Sequence, residues 1–284
     1  MTSTALTRPS VQERIEAHAP VRLVSALDRV MGTVITFDVF APCDLDRRAI
    51  HVAISRARAD LRRSDAIFSL WKPDSPASRL RRGEIDEADG PPELAEVLSI
   101  CRVARDLTRC WFDALAMPGG VDLTGLVKGW AAKRAAALLA DSGIANVMIN
   151  AGGDIATVGN PAPGQPWQIG IQHPERRDAL AAVVAAEGAV ATSGAYERGR
   201  HLYDPRARRY SARFASSSVT GPDLALADAL ATAVAVAGSE GMSLIEEIDG
   251  YEALSIGYDG SLLTTTGLSW RLAPFDIQAT PCDS

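Results

Sequence analysis

The sequence predicts an α+β fold, and two observations carry that expectation. Stretches that alternate with period two stand beside stretches with helical period, and the strands come both clustered and interleaved with helices rather than in a strict strand-helix repeat. At 284 residues, 47% hydrophobic and 23% charged, the chain has globular composition and enough length to bury roughly three quarters of its unfolded surface.

Residues 1–20 carry charge and no apolar run, and are expected to be a disordered leader ahead of one domain at 21–284. Val34, Thr36 and Asp38 alternate with Ile35, Phe37 and Val39, so a strand is expected there. Asp44 is placed to cap a helix whose apolar positions Ile50, Ile54, Ala57 and Leu61 recur at helical spacing. Ser64–Gly90 is rich in turn formers and charge, and is expected to be mostly loop with an aromatic patch at Phe68 and Trp71. Pro91 and Pro92 open a second helix, with Leu94, Val97, Leu98 and Cys101 on one side. Thr124 is expected to cap a third helix, which runs to about Ser142 and stops at Gly143. Ile144–Asn150 reads as a buried strand before a Gly-Gly turn, and Trp167, Ile169, Ile171 and His173 alternate. Gly188 divides the stretch 180–194 into two strands. Gly221-Pro222 starts the last helix, through Val236, and residues 253–267 form a hairpin turning at Asp259-Gly260.

Charge and cysteine usage narrow the function classes. With 29 basic and 35 acidic residues the chain has no basic excess to displace counterions from phosphates, which argues against nucleic-acid binding. The first twenty residues hold no apolar signal region, and the most apolar stretch, Leu224–Gly238, is too short to span a bilayer. Cys43, Cys101, Cys110 and Cys282 are scattered without metal spacing, which reads as reduced thiols in a cytoplasmic protein.

Several polar clusters stand where packing alone would not put them. Between Leu224 and Ala237 only Asp228 and Thr232 are polar; four residues apart, they project from one helical face. Two oxygens one turn apart suit a hard cation such as Mg²⁺; a solvated face, or a buried arginine beside Asp228, fits as well. Asp122, Thr124 and Lys128 surround a helix start, with Gly125 and Gly129 allowing close backbone approach. That arrangement fits an anion site or an ordinary capped helix. Gly152 and Gly153, after the buried strand, imply positive φ or a ligand against the backbone, with Asp154 a turn residue. His201, near Tyr203 and Asp204, is a candidate proton acceptor. Met31 and Trp71 offer a thioether and an aromatic face to a flat ring, or to the core.

In order, the segments MGT, SLWKPDSPASRL, WFDA, DLTGLVKGW, INAGGDIATVGNP, ATSGAY, HLYDP and ADALAT resemble the ApbE-type family, the FAD:protein FMN transferases. The resemblance runs from about Met31 to Gly238. It implies a single T-fold-like domain with a mixed or antiparallel sheet and flanking helices, holding FAD and Mg²⁺ (or Mn²⁺ in its place) in a cleft. Carried over by position, Met31, Trp71, Phe112, Asp113, Ala114, Asp122, Lys128 and Leu202 would contact FAD. Gly125, through its backbone oxygen, Asp228 and Thr232 would hold the metal, and His201 would take the proton. Members commonly read HxxDPxTG, whereas Ala207 and Arg208 stand here in place of Thr-Gly. Only Leu115–Val121 separates WFDA from Asp122, so much of the insertion of longer members is absent, and no lipoprotein signal is seen.

The chemistry that the resemblance implies is transfer of FMN from FAD to a Thr or Ser hydroxyl of an acceptor protein, with release of AMP. The same site would serve a Mg²⁺-dependent FAD pyrophosphatase, in which water attacks. A non-enzymatic FAD-binding protein is the third expectation.

Overall fold

The structure is a computed structural model and describes residues 21–162, 164–176, 178–194 and 202–272. The expected leader, residues 1–20, and the candidate base His201 lie outside the described residues.

An eight-stranded antiparallel sheet forms the middle layer, in the order β1-β2-β3-β4-β7-β10-β11-β12. It begins with a hairpin, β1 (Val21–Val30) and β2 (Thr33–Pro42). The two-residue turn is Met31-Gly32, both at positive φ (56° and 71°), as the twist of a tight hairpin requires. In β2 the alternation read from the sequence holds: Ile35, Phe37 and Val39 are buried, and the residues between them are partly exposed. The sheet continues through β3 (Asn146–Ala151), β4 (Asp154–Val158), β7 (Ala189–Gly194), β10 (Ser216–Gly221), β11 (Glu252–Ile256) and β12 (Leu262–Thr264).

Helices cover one face of this sheet. The first, α1 (Arg47–Phe68), buries Ile50, Ile54, Ala57 and Leu61 as their spacing predicts. Its cap is Asp46, whose side chain accepts from the Arg48 N–H, and not Asp44; the helix starts two residues later than that assignment assumed. The stretch 64–90 is less of a loop than expected. Its first residues complete α1, and α2 (Pro76–Arg81) follows with Ser75 accepting from the Ser78 N–H. The two aromatic residues of that stretch differ in exposure. Phe68 is buried edge-on against Trp130 at 5.4 Å, while Trp71 is 94% exposed.

Next come α3 (Pro92–Leu107) and α4 (Thr124–Asp141). Thr124 does not cap α4 but begins it, its N–H and hydroxyl both donating to Asp122 Oδ1 at 3.0 and 2.6 Å. Gly143, at φ 84°, ends the run as expected. The helix α5 (Leu224–Ala237) is capped by Asp223, which accepts from the Leu226 N–H. It is not the last helix: α6 (Ser239–Ile245) follows directly. α5 is apolar nearly all round because it is enclosed by the sheet, α4 and α6. Its contact with α4 depends on Gly129, where a Cβ would lie 2.6 Å from the Leu224 carbonyl oxygen.

The other face of the sheet is covered by a three-stranded sheet, β13-β6-β5, built from β5 (Trp167–Gln172), β6 (Leu180–Ala186) and β13 (Trp270–Leu272). Ile169, Ile171, Ala182 and Val184 from this layer pack with Ile155, Val190, Leu254 and Ile256. Gly188 therefore separates two strands, as expected, but β6 and β7 belong to different layers. A small hairpin, β8 (Tyr203–Asp204) and β9 (Arg209–Tyr210), stands apart from both sheets. Among the described residues no helix is long and apolar enough to cross a membrane.

Candidate functional site

The site is assembled where three short stretches meet beside the N-terminal end of α4. The face of α5 that looks out of the core supplies Asp228 and, one turn on, Thr232. The first turns of α4 supply Thr124, Gly125 and Lys128. The segment after α3 supplies Phe112, Asp113, Ala114 and Met117 and leads into Asp122. Thr192, Ser193 and Gly194, at the end of β7, and Leu202, Tyr203 and Pro205, around β8, complete the wall. A second cavity adjoins the first through Thr124 and Lys128, and Met31, Gly32, Phe68 and Trp71 line it. The two cavities are neighbours across Thr124 and Lys128, and together they are called the cleft.

Every sequence-predicted site residue that the structure describes therefore reaches this cleft. Phe112, Asp113, Ala114, Asp122, Gly125, Lys128, Leu202, Asp228 and Thr232 lie in the first cavity; Met31 and Trp71 lie in the second. Asp228 is 5% exposed, so the solvated-face reading of this helix does not hold. Thr232 Oγ1 is 2.9 Å from Ser193 Oγ.

Three supports that the sequence did not reveal hold these groups in place. Lys128 Nζ is ion-paired with Asp154, which is 1% exposed. Asp154 is thus more than a turn residue, and the Gly-Gly turn before it, with Gly153 N–H bonded to Asn150 Oδ1 at 2.8 Å, delivers it to α4. Arg81, at the end of α2, donates from Nη1 to Asp122 Oδ2 (3.1 Å) and the Val121 carbonyl (3.2 Å), and from Nη2 to the Pro118 carbonyl (2.7 Å). It staples the short 115–122 loop to the rest of the site. Trp111, just before Phe112, donates through Nε1 to Glu240 (3.1 Å), and the Arg206 guanidinium stacks 4.1 Å over its ring. Arg206 Nη1 also donates to Glu240 Oε1 (3.1 Å), and the indole bond first and the Arg206 bond second hold the Glu240 carboxyl below its usual range. The Asp154 contact was open to a sequence reading through the AGGD turn. Arg81 and Glu240 lie 41 and 129 residues from their partners, and no local pattern announces them.

Behind the Phe112–Ala114 segment, Cys101 is buried, and desolvation, with the Asp113 charge added, pushes its thiol up to about 12. It stays a neutral core group rather than a nucleophile.

The balance of charge defines what the cleft accepts. Asp113, Asp122 and Asp228 face it with one ammonium, Lys128, which is already paired. All other polar groups of the first cavity are hydroxyls and backbone. No group of three or more His, Cys, Asp or Glu side chains is gathered among the described residues. One carboxylate with a hydroxyl and carbonyls is a donor set that fits Mg²⁺, which keeps several waters and binds through one or two carboxylates.

Fold and cleft together define an antiparallel, helix-backed sheet with an oxygen-lined site at its helical side. Structures with the same architecture include the flavin transferase ApbE of Vibrio cholerae, with TM-score 0.72 at 22% identity over 87% of this chain and 97% of that one. An ApbE protein of Thermotoga maritima gives the same score and identity, over 86% and 97% of the two chains. The sequence pattern of the ApbE family matches residues 115–255, just under half of the chain. The FAD:protein FMN transferase of Rhodobacter capsulatus is 34% identical over 204 residues, 65% of this chain and 39% of the relative. That of Salmonella typhimurium is 31% identical over 151 residues, 49% of this chain and 43% of the relative. The matches thus span about two fifths of the length of these relatives. The family segment includes Asp122, Gly125, Lys128, Leu202, Asp228 and Thr232; Met31, Trp71 and Phe112–Ala114 precede it.

Proposed function

We propose that this protein is a metal-dependent FAD:protein FMN transferase that acts on a Thr or Ser hydroxyl of an acceptor protein. The observation that carries the reading is that Asp228 and Thr232, on a helix that is otherwise core, line the same cavity as Lys128 of α4.

In this reading FAD occupies the cleft. Its flavin lies toward Met31 and Trp71, and its pyrophosphate toward Lys128, with Phe112, Asp113, Ala114, Asp122 and Leu202 around it. Asp228, Thr232 and the Gly125 carbonyl would hold Mg²⁺, or Mn²⁺ in its place. When bound, the ion supplies positive charge that a dinucleotide pyrophosphate needs beside three carboxylates. The acceptor hydroxyl oxygen forms a bond to the FMN-side phosphorus, and that phosphorus loses its bond to the bridging oxygen. AMP departs with that oxygen, and the hydroxyl proton goes to a base, for which His201 is the candidate. Asp154 fixes Lys128, and Arg81 fixes Asp122, so positioning and electrostatics carry the rate. A cytoplasmic setting belongs to the same reading, supported by Cys101 and Cys110 being unbridged thiols.

Incubation with FAD, Mg²⁺ and candidate acceptors, followed by mass spectrometry, tests this. The expected result is one FMN added to an acceptor for each AMP released. Free FMN with no acceptor gain would replace transferase by pyrophosphatase, and bound FAD with no AMP would leave only a binding protein.

A further inference from the structure

The β8–β9 hairpin carries features that the transfer site does not use. From Leu202 to Arg213 the chain holds Arg206, Arg208, Arg209 and Arg213 against one acidic residue, Asp204, in a protein of net charge −6. Asp204 is buried, its Oδ1 accepting from the Arg206 and Ala207 N–H groups at 2.9 Å, so it shapes the turn rather than neutralising the surface. The base is fixed: Arg206 is paired with Glu240 at 3.1 Å and stacked on Trp111, and Tyr203 meets Tyr210 edge-on at 5.3 Å. The Arg213 guanidinium also lies over the Trp111 ring, at 5.3 Å, and donates to the Ala237 carbonyl. Arg208 and Arg209 remain exposed, and neither has an ion-pair partner among the described residues, while Tyr210 is 50% exposed beside them.

Two further facts tie this surface to the site. Tyr203 and Pro205 of the same hairpin line the cleft, and Arg209 and Tyr210 pair with Asp204 and Tyr203 across the hairpin. Arg208 holds φ 53°, a left-handed conformation that glycine adopts without cost. Strain kept at a functional rim points to a use for the side chain. Arginine and tyrosine on a preorganised support are the residues that dominate protein interfaces.

We propose that Arg208, Arg209 and Tyr210 form the docking surface for the acceptor polypeptide, and that they select one with acidic side chains near its target hydroxyl. This rests on the transferase reading, since it assigns the partner of that same cleft. Opposite charge at a rim steers encounter and rejects wrong partners.

The test uses two synthetic peptides, one Thr flanked by Asp and Glu and a twin with Lys in place of the acids. Each is titrated by fluorescence anisotropy, with FAD and Mg²⁺ present, against the full chain and an Arg208→Glu/Arg209→Glu variant. The acidic peptide should bind at least about tenfold more tightly than its twin, less so at high salt, and the variant should lose about tenfold while binding FAD as before. Equal binding of the two peptides, or undiminished binding by the variant, would overturn the proposal. So would a DNA oligonucleotide that competes as well as the acidic peptide, since the patch would then be a general polyanion surface. Absence of AMP release from FAD in the unmodified protein would instead sink the transferase reading, and the anisotropy difference reads the docking surface separately.

Discussion

The two sides of the cleft are built differently. The helical side, α4 and α5, presents Lys128, Asp228 and Thr232 from backbones packed in close contact at Gly129. The outer side, the 111–122 segment and the β8–β9 hairpin, is held mainly by side chains reaching across space: Arg81 to Asp122, and Trp111 and Arg206 to Glu240. The first kind of wall fixes its groups through core packing, which tolerates little change. The second fixes them through charged, partly exposed contacts, which are individually weak and free to vary. Ala207, Arg208 and the short 115–121 loop belong to this outer side.

Effects on buried groups that support either wall are expected to be the largest. Cys101, under the Phe112–Ala114 segment, is neutral in the fold until about pH 12, whereas in the unfolded chain it ionises near its ordinary value of 9.0. Its contribution is therefore full below pH 9 and is lost as pH rises to about 12, a decline of about 4 kcal/mol at most. Urea unfolding across that window checks it, and Cys101→Val should flatten the slope; an unchanged slope would remove Cys101 as the cause. Next, Lys128→Met leaves Asp154 buried without its ammonium, with an expected loss of about 3 kcal/mol by thermal or urea unfolding. A loss under about 1 kcal/mol would show that the pair behaves as a solvated one.

On the outer side the signs differ. Arg208→Gly relieves a left-handed residue and should stabilise the protein by about 1 kcal/mol, while weakening acceptor docking. A destabilised Arg208→Gly protein would mean that the side chain supports the hairpin itself, and the contrast between the two walls would narrow.

The same division explains how much the sequence could tell. β2, α1, α4 and α5 were legible because periodicity reports burial on a packed face, and the cleft-facing Asp228 and Thr232 stood out as the polar pair on such a face. Asp44 and Thr124 were misassigned as caps because several short polar residues precede each helix and only the backbone trajectory chooses among them. α2 was hidden in a polar segment because six residues leave little room for a period to show. Arg81 was illegible for another reason: its partners are brought near only by the finished fold.

The central claim is that the oxygen pair on α5 makes pyrophosphate cleavage metal-dependent. The most direct measurement is AMP released from FAD as Mg²⁺ is raised, comparing the unmodified protein with Asp228→Ala, whose folding is checked by circular dichroism. The account predicts a Mg²⁺-dependent signal in the former and a loss of at least about a hundredfold in a folded variant, or roughly 2.7 kcal/mol of barrier. A folded Asp228→Ala protein that releases AMP at an undiminished rate would contradict it.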